Sequence, residues 1–159
     1  TTEIYTLSLH DALPISIKKI NSSEYLAIVI TNQPVIARGE VSIEGLDEIH
    51  NKMETLLGNH GAYLDGIFYC PHHPDKGFVG ERVEFKIDCN CRKPKIGLLE
   101  QAASKFNIDL SSSWFIGDGK NDILCGKNAG CNTILISKNE TFGEDFRVDS
   151  LKEAINKII

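Results

Sequence analysis

The sequence predicts an α/β fold with a doubly wound parallel sheet, and three observations carry that expectation. Short apolar runs rich in β-branched and aromatic residues occur at 25–31 (YLAIVIT), 66–70 (GIFYC), 113–116 (SWFI) and 133–136 (TILI). They lack the alternation of a half-exposed strand and read as strands buried on both faces. Between them lie segments with apolar residues at three- and four-residue steps, the pattern of crossover helices. Two of the runs end in small hydrogen-bonding residues, Thr31-Asn32-Gln33-Pro34 and Gly117-Asp118. Open α/β sheets place their ligands at such strand ends.

Residues 1–16, TTEIYTLSLHDALPIS, lead into the next element with neither turn chemistry nor a cap. The stretch YTLSLHDALPIS resembles translated sequencing-adapter sequence, so 1–16 are expected to be foreign and 17–159 to form one domain. The alternation of Tyr5, Leu7 and Leu9 leaves a real strand as the other reading. Residues 17–23 look like the end of a helix. Residues 42–57 form an amphipathic helix, with Ile43, Leu46, Ile49, Met53 and Leu56 on one face and Gly58 as its stop. His50 and His60 are a helix-face and a loop residue without a role. A second helix runs over 96–106 and a short one over 122–128, stopped by Gly130. Asp149 or Ser150 caps a last helix carrying Leu151, Ala154, Ile155 and Ile158.

At 159 residues and 42% hydrophobic, the chain fits one globular domain. Its net charge of −5 argues against a nucleic-acid surface. No run of 18 apolar residues offers a membrane span. Without a secretory signal the thiols are expected to stay reduced, in the cytoplasm, and the chain to be a monomer. Cys125 and Cys131 read as small buried hydrophobes.

The densest chemistry lies at 70–94, CPHHPDKGFVGERVEFKIDCNCRKP. Cys70 and His72 are two apart, as are Cys89 and Cys91. In extended backbone, side chains two apart share a face, so each pair can converge on one point. Three thiolates and an imidazole suit a tetrahedral zinc, and four protein ligands make it structural, because a catalytic zinc keeps one position for water. His73 is the competing imidazole; His72 has the spacing that matches the CxC pair. The Pro- and Gly-containing loop between the pairs cannot bury a core and needs a cross-link to be ordered. Arg92 and Lys93 follow directly.

A parallel sheet gathers the strand ends on one edge. There Thr31 and Asn32 can meet phosphate oxygens, Lys93 can neutralise phosphate and Arg92 can grip a second one bidentately. Asp118 can hold Mg²⁺, and Asp122, one helical turn on, can orient it or a metal-bound water.

These motifs together, TNQ after a strand, CPHHP with CNCRKPKIG, and WFIGDGKNDILCGKNAG, resemble the haloacid dehalogenase-like (HAD) phosphatases of the IIIA subclass. More narrowly they resemble the zinc-containing heptose-1,7-bisphosphate phosphatases, relatives of histidinol phosphatase. The likeness covers residues 17–136. It implies a HAD-like fold without a large cap, its zinc loop helping to enclose a small sugar phosphate. It implies that Thr31 and Asn32 bind the transferring phosphoryl group and that Gln33, Arg92 and Lys93 contact substrate. Lys93 is then the phosphate-stabilising lysine, Asp118 a Mg²⁺ ligand with Asp122 in support, and Cys70, His72, Cys89 and Cys91 the zinc ligands. The implied reaction is Mg²⁺-dependent removal of the C7 phosphate, on the route to nucleotide-activated heptose. Histidinol phosphate is the alternative substrate, and a catalytically silent zinc module that binds sugar phosphate or a protein partner is the alternative class.

The family's first strand ends in DxDG. Its first aspartate attacks phosphorus; its second protonates the leaving oxygen and later activates water. No DxD occurs in this chain. Asp11 is the one aspartate before Thr31, Leu13 stands in the acid position, and only 20 residues separate Asp11 from Thr31. Asp11 is therefore not assigned the nucleophile. Gly119 stands where relatives often carry lysine.

Overall fold

The computed structural model describes residues 12–159, so the expectations for Tyr5, Leu7, Leu9 and Asp11 lie outside the described residues. Helix α1 (Ala12–Asn21) leads into β1 (Ile28–Asn32), α2 (Ile43–Asn59) and β2 (Gly66–Cys70). The zinc-motif loop follows, with one 3₁₀ turn at Val83–Phe85. Then come α3 (Gly97–Phe106), a 3₁₀ turn at Leu110–Ser112, β3 (Trp114–Gly117), α4 (Lys120–Asn128), β4 (Asn132–Ile136), β5 (Phe146–Val148) and α5 (Leu151–Ile158).

Every strand pairing among the described residues is parallel. Ile28 stands opposite Gly66 and Asn32 opposite Cys70. Trp114 stands opposite Asn132, and Ile134 opposite Phe146. The pairing forms two blocks, β1-β2 and β3-β4-β5, where one continuous sheet was expected. Among the described residues no ladder joins β1 to β3. Ile30 of β1 nevertheless packs into the cluster of Leu99, Phe115, Cys125 and Cys131, so both blocks share a core. Cys125 and Cys131 are buried within it, as small hydrophobes.

Local chemistry explains the helix ends. Ser42 Oγ accepts from the Gly45 amide at 2.9 Å and starts α2. The helix does not stop at Gly58 but runs on to Asn59, with His60 as its cap. The left-handed exit turn falls on Gly61, at φ +74°, which is why Gly58 does not end it. His50 faces inward and is buried, its ring 5.7 Å from that of Tyr69. Ser150 caps α5 by accepting from the Glu153 amide.

Helix α1 reaches further back than the helical end expected at 17–23. Ile17 joins Ala27, Leu57 and Ala62 in a second cluster. Leu13, inside the stretch expected to be foreign, packs against that cluster. Lys19 Nζ also donates to Asn156 Oδ1 at 2.9 Å, tying α1 to α5. Strand β5 was not expected, because three residues, two of them exposed and one half-buried, make no apolar run. No helix among the described residues is long and apolar enough to cross a membrane.

Candidate active site

The CxH and CxC pairs converge. One ligand atom from each of Cys70, His72, Cys89 and Cys91 lies within 4.8 Å of all the others. Cys70 ends β2, so the strand fixes where its sulfur points. Cys70 Sγ is 3.5 Å from Cys89 Sγ and 2.8 Å from Cys91 Sγ. His72 Nδ1 stands 3.3 Å from Cys91 Sγ. It is His72, not His73, that completes the group: His73 Nδ1 instead accepts from the Asp75 amide at 3.2 Å. Burial pushes the Cys70 thiol up, and the adjoining Cys91 sulfur adds to this. Cys91 is raised by burial too. A divalent cation removes that cost, because it makes crowded thiolates favourable. Tetrahedral zinc with sulfur at ~2.3 Å sets sulfur–sulfur edges near ~3.8 Å. The four groups therefore fit zinc after Cys70 and Cys91 spread slightly.

The knuckle after Cys91 sends its two cations in different directions. Arg92 turns back to the zinc loop and donates from Nη1 to the His72 carbonyl at 3.4 Å. Lys93 turns inward and is only 4% exposed. Its amide donates to Asn32 Oδ1 at 3.0 Å, and Asn32 Nδ2 returns to the Lys93 carbonyl at 3.4 Å. Lys93 Nζ then donates to the Ile30 carbonyl at 3.3 Å and to Asp122 Oδ1 at 2.5 Å. The Lys93–Pro94 peptide is cis. Thr31, 1% exposed, accepts from Gln33 Nε2 at 3.1 Å.

Asp122 is engaged at both oxygens. Oδ1 meets Lys93, while Oδ2 accepts from the Asp118 and Gly119 amides at 3.3 and 3.2 Å. This capping fastens the start of α4 to the end of β3. Gly117 is required there, because a Cβ on it would overlap the Asp122 side chain. Asp118 is held above its ordinary carboxylate range, first by burial and then by the Asp122 charge. A cation at this point relieves both effects, so the donor set fits a hard divalent ion.

Thr31, Asn32, Gln33, Lys93, Asp118 and Asp122 are thus brought to one edge of the fold. Arg92 is the expected member that points elsewhere. The motifs gave no signal for the Ile30 carbonyl as a lysine anchor, since a main-chain acceptor carries no residue type. Nor did they single out Lys86, a loop lysine that is 2% exposed.

Cys89→Ser is expected to release about one zinc per chain and loosen residues 70–94. Structural zinc supplies on the order of 10 kcal/mol to a site of this kind. Elemental analysis before and after the substitution checks it. Freshly purified protein, never exposed to chelator, that holds no zinc would sink the assignment.

A HAD-hydrolase-like family model matches residues 90–154. The chain is 39% identical over 132 residues to the D-glycero-beta-D-manno-heptose-1,7-bisphosphate 7-phosphatase of Pasteurella multocida, covering 82% of this chain and 68% of that protein. It is 41% identical over 116 residues to the D-glycero-alpha-D-manno-heptose-1,7-bisphosphate 7-phosphatase of Photorhabdus laumondii, covering 73% and 61%. Among solved structures it resembles the D,D-heptose 1,7-bisphosphate phosphatase of B. bronchiseptica complexed with magnesium and phosphate. That match has a TM-score of 0.78 at 26% identity and covers 94% of this chain and 82% of the other. The chain spans 57% to 74% of the length of several curated relatives it matches.

Proposed function

The chain belongs to the D-glycero-D-manno-heptose-1,7-bisphosphate 7-phosphatases, a family of HAD-like hydrolases, and from that premise we propose that its strand-end cluster receives the 7-phosphate of a heptose 1,7-bisphosphate. The observation that carries the reading is the buried Lys93 ammonium, 2.5 Å from Asp122 Oδ1 and anchored on the Ile30 carbonyl. A desolvated cation next to paired carboxylates suits a phosphate bridged by a metal.

In this reading each residue has a distinct task. Lys93 neutralises phosphoryl charge where water is excluded. Asp118 holds Mg²⁺, which when bound offsets the charge on the phosphoryl oxygens. Asp122 positions both, since its carboxylate already spans Lys93 and the Asp118 amide. Asn32 acts on the lysine rather than on phosphate, because its amide is committed at both ends to the Lys93 main chain. Thr31, with Gln33 beside it, contributes polar groups at the β1 end. Cys70, His72, Cys89 and Cys91 would hold the zinc, which would cross-link the end of β2 to the segment that carries Arg92 and Lys93. The substrate is a small sugar phosphate.

The nucleophile has to come from a DxDG strand, which this sequence does not contain. The reading is tested in a version that carries such a strand ahead of Thr31. Its kcat/KM for heptose 1,7-bisphosphate is expected to exceed that for histidinol phosphate by about 10²-fold or more, the scale of a site matched to one substrate's polar groups. Equal or reversed preference would overturn the heptose assignment.

A further inference from the structure

We propose that a cleft beside the zinc loop is a second anion subsite, in which Arg38 and Lys86 hold the phosphate at the far end of the same substrate. This inference rests on the heptose-bisphosphate reading above and adds residues to it. The cleft has a volume of about 510 Å³ and is lined by Arg38, Glu40, His73, Asp75, Phe78 and Lys86, among others. Thr31, Lys93 and Asp118 are not part of its lining, so it is distinct from the strand-end cluster.

Its walls are built. One is the loop after β1, the other the distal part of the zinc loop. The Arg82 amide donates to the Ala37 carbonyl at 2.9 Å across them. Gly39, at φ +74°, lies so close to Gly80 that a Cβ on it would overlap the Gly80 carbonyl. The first wall leaves β1 directly after Thr31 and Asn32. The second ends at Arg92 and Lys93. In this proposal one substrate touches both sites.

Lys86 is the clearest pointer. It is 2% exposed, an expensive place for an ammonium. Nζ donates to the Asp75 carbonyl at 2.7 Å, lies 3.6 Å from Glu81 Oε2 and sits 4.9 Å from the centre of the Phe78 ring. Glu81 does not fully claim it, because both its oxygens also accept loop amides, from Gly77 and Phe78. Arg38 is the second pointer. Its guanidinium lines the cleft and makes no hydrogen bond or ion pair among the described residues. A rigid five-donor fork of this kind matches a phosphate. Arg92 donates to the carbonyl of His72, the residue directly before His73 of the cleft lining. The carboxylates of Glu40 and Asp75 suit sugar hydroxyls, and the half-exposed Phe78 ring offers an apolar face to a sugar. The ligand class is thus a polyol bearing a terminal phosphate.

Calorimetry on the zinc-loaded chain with Mg²⁺ tests this. The probes are heptose 1,7-bisphosphate and heptose 7-phosphate. The bisphosphate is expected to bind about tenfold or more tightly than the monophosphate, the scale of one charge-assisted phosphate contact. Arg38→Ala and Lys86→Met are expected to remove most of that advantage and leave monophosphate affinity within about twofold. Arg38 is exposed, so its variant keeps the test open if Lys86→Met fails to fold. Equal losses for both ligands, or none, overturn the subsite. Lys93→Ala is the separate arm. If it leaves monophosphate binding unchanged, the strand-end reading fails instead; if it weakens both ligands while Arg38→Ala weakens neither, only the subsite falls.

Discussion

Given heptose 1,7-bisphosphate and Mg²⁺, the 159-residue chain is expected to release no phosphate, whereas a version with a DxDG strand ahead of Thr31 is expected to release it. Lys93, Asp118 and Arg92 can attract a phosphate ester, but no carboxylate in the described site is placed to attack phosphorus. Both oxygens of Asp122 are engaged with Lys93 and the α4 cap. Asp118 is the metal ligand of the proposed site. Without a nucleophile the covalent step is lost, and without a general acid the sugar oxygen must leave unprotonated. Such losses amount to several orders of magnitude. The position of the added strand follows from where its carboxylates must act. They have to reach Lys93, anchored on β1, and Asp118, at the end of β3. Only a strand between β1 and β3 does so, and those two strands share no ladder among the described residues. Such a strand would also join the two parallel blocks. Phosphate release by both versions, measured side by side, decides it. Comparable turnover by the unaltered chain, abolished by Asp11→Asn, would instead make Asp11 the nucleophile.

In the strand-bearing version, Lys93→Ala and Asp118→Asn are each expected to lower kcat by about 10²-fold or more, the scale of losing one preorganised electrostatic stabiliser. Near-native turnover in either variant counts against the site. Asp118→Asn has a second, opposite signature. Burial and Asp122 raise the Asp118 carboxyl above its ordinary 3.8 in the folded chain. The folded state therefore holds that proton at a pH where the unfolded state has released it. The associated stability is fully present below the unfolded value and is lost as pH rises through the folded one. At neutral pH, with zinc bound and magnesium withheld, Asp118→Asn is expected to melt above the native chain. The gap should close as pH falls below about 4. Added Mg²⁺ should stabilise the native chain and not the variant. A variant that melts lower under magnesium-free conditions, or that gains equally from Mg²⁺, argues against Asp118 as the ligand.

Several features were legible because they depend on short-range geometry. Two-residue spacing sufficed to pair Cys70 with His72 and Cys89 with Cys91, although 89–91 runs through a bend and not extended chain, and the two pairs do meet. Four-residue spacing at a helix start sufficed to bring Asp122 to Asp118. The parallel order of strands followed from apolar runs alternating with amphipathic helices. Other features depended on contacts far apart in sequence. Asn32, expected at a phosphate, is bound to Lys93, 61 residues away. The exit of α2 at Gly61 rather than Gly58 was a matter of which glycine takes the left-handed turn. Strand β5 was invisible because its pairing with β4, not its composition, makes it a strand.

Residue type and local spacing determined which cysteines and histidine cluster, the parallel α/β class and, Arg92 apart, the groups at the strand ends, because side-chain chemistry and backbone period are properties of short segments. Tertiary structure alone decided which of those groups face one another. It turned Lys93 inward to Asp122 and Arg92 outward, and set Asn32 as the lysine's clamp. Those outcomes depend on where a charge finds a partner once water is excluded, and that partner lies in a different segment of the chain.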